Sequence, residues 1–212
     1  MPVLSREEFD AIEFDAAASG DHQAAARLMS KLAVIGTQTD SMPRSEAFLR
    51  AGEQWLLADD PAAAASGFRL ALADGGPVFV DPRVPLARAL FMLGKPAEAQ
   101  SLLDTLKEEG RRDPRMCDLV AELLVERSNL TGALDWATAG VELCLQRVPG
   151  GGPGADEAGD TWPAHREQRL AGAPGAADVA RAELRLLLSL RFRIRNDLGL
   201  AEDSYDELLD EA

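Results

Sequence analysis

The sequence predicts an all-α protein, a solenoid of antiparallel helix pairs closed by a C-terminal capping helix. Three observations carry this expectation. Apolar residues recur at three- and four-residue steps almost from the start, with little β-type alternation anywhere. Alanine is abundant while aromatics make up only 5%, a balance that favours closely packed helices. Similar segments begin near residues 45, 80 and 114, at spacings of 35 and 34. One such helix pair cannot bury its own apolar face, so neighbours must stack on it.

Composition narrows the partners. The 212 residues, 46% hydrophobic, are enough for a sizeable core in one or two domains. A formal net charge of −14 argues against nucleic acid, whose phosphates are bound by Lys and Arg. It suits a soluble protein or one that attracts a basic partner. Cys117 and Cys144 make no disulfide framework. The opening MPVLSREEFDAIEFD lacks a basic-then-apolar leader, and no apolar run reaches membrane-span length. A cytoplasmic location without membrane association is expected.

Taken in order, Phe9, Ile12 and Ala16 mark the first helix, and Ser19-Gly20-Asp21 turn into a second with Ala25, Met29 and Leu32. Gly36–Pro43 is a linker. In Ser45–Gly76, Phe48, Ala51, Gly52 and Trp55 precede an Asp60-Pro61 turn, and Ala64, Phe68 and Ala71 follow it. Gly52 and Ala64 are small enough to let two helices approach, and Pro61 is tolerated at a first helical position. A longer connection from Asp74 to Pro85 contains three prolines. Leu86, Ala87 and Leu90, then Ala99, Leu103 and Leu106, form the next pair around Leu93–Pro96. From Pro114, Cys117, Ala121 and Leu124 precede a Ser128-Asn129 turn, and Ala133, Ala137 and Gly140 follow it.

Residues 148–176 are rich in Gly and Pro and are expected to form a flexible exposed loop. Trp162 inside it is read as an aromatic docking back on the body, or else as a hook for another protein. Ala177–Arg195 returns to helix, with five arginines between 181 and 195. Arg181, Arg185, Leu188, Phe192 and Arg195 share one face. A cap over the last pair is the preferred role; a basic arm on an acidic surface is the alternative. Leu200–Ala212 is an acidic final helix or tail.

The spacing aromatic-x2-small-Gly-x2-aromatic at Phe48–Trp55, with Ala64, Phe68 and Ala71 beyond the turn, resembles the tetratricopeptide repeat, a helix–turn–helix unit of 34 residues. The resemblance, to members of bacterial type, runs from Arg6 to about Val148 as four hairpins starting near 6, 45, 80 and 114. The first is degenerate, with Glu13 at the glycine position. It implies a right-handed α-solenoid whose first helices line a concave groove for a peptide or helix of another protein. The groove positions so implied are Glu7, Asp10 and Phe14, then Glu46, Leu49, Glu53 and Leu56. Further on they are Val84, Arg88, Phe91 and Met92, and finally Arg115, Asp118, Glu122 and Val125. Leu49, Leu56, Phe91 and Met92 are the expected apolar anchors, and Glu46, Glu53 and Glu122 the charge selectors. Such a groove suits an amphipathic, partly basic segment. Asp10 and Phe14 stand where some family members place Lys and Asn for a chaperone's C-terminal carboxylate, so that mode is not expected.

Nothing in the chain announces a reaction. His22 and His165 are expected to be exposed and lack partners at metal-ligand spacing. Cys117 and Cys144 read as small buried hydrophobes. Gly150-Gly151-Gly152 lacks the Gly-Lys-Ser/Thr end of a phosphate loop. No catalytic residue, metal or cofactor is expected. An interaction module is the first functional expectation. The alternative is a regulatory or sensor subunit whose Arg-rich helix gates the groove, and a small-molecule enzyme comes last. Self-association through groove Phe, Met and Leu is a further expectation.

Overall fold

The computed structural model describes residues 3–39, 41–110, 113–147 and 176–211. The loop expected at 148–176, with Trp162 and His165, thus lies outside the described residues except for Ala176. The chain divides into two units, Met1–Glu109 and Gly110–Ala212. Among the described residues the regular structure is helical, apart from isolated bridges Val3–Thr37 and Thr39–Met42.

The first unit contains α1 (Arg6–Ser19), α2 (His22–Ile35), α3 (Arg44–Leu57), α4 (Pro61–Asp74), α5 (Arg83–Met92) and α6 (Pro96–Glu108). Each helix packs on the next, so three hairpins stack. Local chemistry starts the helices. Ser5, Asp21 and Asp60 accept the N–H groups of Glu8, Ala24 and Ala63 at 3.1, 3.0 and 2.9 Å. The α3–α4 crossing depends on two glycines. A Cβ on Gly52 would lie 2.5 Å from the Phe68 ring, and one on Gly67 would lie 3.3 Å from the Gly52 Cα. Phe68 is fully buried there, which contributes about 2–3 kcal/mol.

The second unit contains α7 (Pro114–Glu126), α8 (Leu130–Arg147), α9 (Ala176–Asp197) and α10 (Ser204–Glu211). Asp113 caps α7 by accepting the Met116 N–H at 2.9 Å. Gly140 of α8 meets Leu187 of α9, where an added Cβ would come within 2.8 Å. The buried side of α9 carries Leu184, Leu187, Leu188, Arg191 and Ile194. This stripe packs on α7 and α8. Of the face expected from the arginine spacing, only Leu188 is buried, because the leucine stripe has the greater apolar area to remove from water.

One turn is used three times. At Asp59, Gly94 and Ser128 the backbone enters the left-handed region, with φ of 58°, 71° and 59°. The N–H of the next residue then reaches back five positions, Asp60 to Trp55, Lys95 to Leu90 and Asn129 to Leu124, at 2.9 Å each. These bonds satisfy carbonyls left open at the helix end. The turns repeat at spacings of 35 and 34, and they set where each second helix begins. Gly20 makes the corresponding corner of the first hairpin, also with positive φ, four residues further from its successor. The additional length lies in Gly36–Pro43, where Leu4 N–H donates to Thr37 O at 2.8 Å and Thr39 Oγ1 donates to Leu4 O at 3.0 Å.

Candidate partner-binding surface

The first helices of the hairpins place the expected groove residues at different depths. Leu49 is 1% exposed and belongs to the core of the first unit. Glu46 is buried, and its carboxylate accepts the Phe79 N–H at 2.8 Å. Burial raises its pKa, against the lowering effects of that bond and of Arg50. Ser45 Oγ donates to Pro77 O at 2.9 Å, so the long connection after α4 is fastened over the start of α3. Glu46 and Leu49 therefore support a surface from beneath. The sequence fixes the face of α3 on which they lie but holds no signal for where a proline-rich connection runs.

Glu53 and Met92 are exposed, while Leu56, Arg88 and Phe91 are half-buried. In the repeat register Phe14, Glu53 and Arg88 are equivalent, as are Leu56 and Phe91. Phe14 is 75% exposed. In the second unit Asp118 is half-buried and Glu122 exposed on α7. Burial pushes the Asp118 carboxyl up, and Glu122 and Glu183 add to this while Arg115 opposes it.

Arg50 was not legible as a structural residue in the sequence. It is buried on α3 and donates to Glu13 Oε1 from Nε at 2.8 Å, to Glu13 Oε2 from Nη2, and to Asp10 Oδ1 at 2.6 Å. Its guanidinium also lies over the Phe9 ring at 5.7 Å. Glu13 thus replaces the small residue of the repeat because it answers a buried cation on the neighbouring hairpin. Asp10, expected on the groove, is occupied by the same arginine. His22 is a correction: it is half-buried, with Nδ1 2.9 Å from Gln54 Oε1, because the start of α2 packs beside α3.

Cys117 and Cys144 are buried and not joined in a disulfide. Among the described residues, no group of three or more His, Cys, Asp or Glu side chains is arranged to hold a metal. No described helix is long and apolar enough to cross a membrane.

The model of the tetratricopeptide repeat family matches residues 56–123, from the last turn of α3 into α7. No curated protein and no solved structure matches the chain.

Proposed function

Taking as premise that this chain is a tetratricopeptide repeat protein, we propose that it is an adaptor whose first helices bind a peptide or amphipathic, partly basic helix of another protein. Repeats of this family generally mediate binding between proteins. The carrying observation is the apolar exposure on successive first helices of the first unit. Phe14 is 75%, Leu57 61% and Met92 46% exposed, with Leu56 and Phe91 half-buried beside them in sequence. Large apolar side chains left in water, of which Leu57 and Met92 are equivalent in the repeat register, offer contact area to a partner helix. Within the first unit Glu53 supplies charge, which sets orientation and on-rate more than affinity. The proposed module is non-catalytic, takes no cofactor and works in the cytoplasm.

The test is affinity capture from an extract of the native cell. The native chain is run beside a Leu56→Glu/Phe91→Glu variant of unchanged helicity by circular dichroism. A protein held by the native chain and lost from the variant is the expected result. Equal capture by both forms would remove these helices from the binding role.

A further inference from the structure

Within the second unit, the last helix covers a strip formed by α8 and α9. The helix α10 has eight residues, too short to be stable alone in water. It forms on a strip made by α8 and α9. Tyr205, Leu208 and Leu209 pack against the buried cluster of Val141, Cys144, Leu184, Leu187 and Leu188. These three remain partly exposed, whereas the α9 leucines beneath them are buried.

The polar half of the contact is specific. Arg191 is 3% exposed. It donates to Asp203 at 2.9 and 2.5 Å, to Asp206 at 3.3 Å, and to Thr138 Oγ1 at 3.0 Å. Its guanidinium stacks over the Tyr205 ring at 4.6 Å. Arg195 pairs with Asp203 at 2.8 Å and with Asp206 at 3.1 Å. Tyr205 OH donates to Glu142 at 3.2 Å. Two arginines on α9 therefore read two carboxylates, and an apolar strip reads the leucine pair just after them. Four charge-assisted pairs between two arginines and two carboxylates fix the register of the helix that docks there.

We propose that this α8–α9 strip is a docking site for an acidic amphipathic helix with two carboxylates ahead of an apolar pair, and that α10 is its displaceable occupant in cis. Two features favour displacement. The occupant has no stability of its own. Its apolar contacts are half-buried. Its tether, Leu198–Asp203, turns at Gly199 with φ 68°, where the Gly199 and Leu200 N–H groups donate back to Asn196 O and Arg195 O at 3.0 Å each. A tether this short gives α10 an effective concentration of the order of millimolar, so a competitor succeeds only when the cis contact weakens.

Cys144 is a native reporter. Its thiol, covered in this cluster, is pushed up to about 12 by burial and by Glu183, against Arg147. The experiment uses the full chain and an acetylated peptide of residues 200–212. Thiol labelling of Cys144 is followed by mass spectrometry, which separates it from Cys117. In Asp203→Asn/Asp206→Asn, labelling is expected to rise about tenfold or more, the loss of charge-assisted bonds. Added peptide of native sequence is expected to restore protection, and the same peptide with both Asn substitutions is not. Leu208→Ala/Leu209→Ala, which keeps both arginines paired when α10 is docked, is expected to behave likewise. Labelling as slow as in the native chain, failure of the peptide to protect, or unfolding of both variants would each overturn the proposal. The last outcome would make α10 a fixed part of the core.

Discussion

At the scale of single residues, two positions carry much of the architecture. Gly52 permits the α3–α4 crossing because the Phe68 ring occupies the space a Cβ would need. Gly52→Ala is expected to lower stability by roughly 1–3 kcal/mol, the usual cost of overpacking, measured by thermal or denaturant unfolding. Ser128 takes a left-handed backbone without being glycine, at φ 59°. That conformation costs an L-residue about 1–2 kcal/mol, partly offset by the chain entropy a glycine would lose. Ser128→Gly is therefore expected to stabilise the second unit by about 0.5–1 kcal/mol in the same assay. The glycine was legible because close approach demands it at a fixed spacing. Arg50 was not, since an arginine reads as solvated until its partners, Asp10 and Glu13 on another hairpin, are known.

At the scale of elements, the hairpin turns were readable and the long connections were not. Asp60-Pro61, Gly94-Lys95-Pro96 and Ser128-Asn129 mark helix boundaries through local chemistry alone. The connection from Gly75 to Pro82 is placed by Ser45 and Glu46, more than thirty residues earlier, and no local pattern encodes that pairing. Glu46 and Leu49 shared a helix with the exposed Glu53, so spacing alone could not tell support from contact surface. The acidic C-terminus left helix and tail both open. It becomes α10 because Arg191 and Arg195 await its carboxylates. Asp203 sits below its ordinary value of 3.8, chiefly through its bonds to Arg191, with the Tyr205 N–H and Arg195 adding to the effect. A depressed carboxylate stabilises the folded form fully above its unfolded value and loses that contribution as pH falls through its folded value. Hydrogen-exchange protection of the α10 amides is thus expected to hold near neutrality and to decline below about pH 4 before the amides of α8 do.

At the scale of the whole chain, the sequence period and the compact units do not coincide. The repeat spacing continues from Trp55 through Leu90 to Leu124, and the family match spans 56–123, yet the units part at Glu109 and Gly110. Period is a property of local turn chemistry and small-residue spacing, whereas a unit is set by which side chains share a core. The first could be read from one sequence; the second depends on contacts distant along the chain. The excess of acid behaves similarly. A net charge of −14 predicts attraction for basic partners, but part of it is spent internally, on Arg50 in one unit and on Arg191 and Arg195 in the other.

Those internal pairs bear on how the protein responds to heat. The penalty for taking an ion from water falls as temperature rises, while apolar stabilisation levels off. The Arg50 and Arg191 clusters therefore gain weight on warming relative to the apolar contacts of the same elements. In a warm cell the first hairpin and the last helix would be held increasingly by charge, and less by oil.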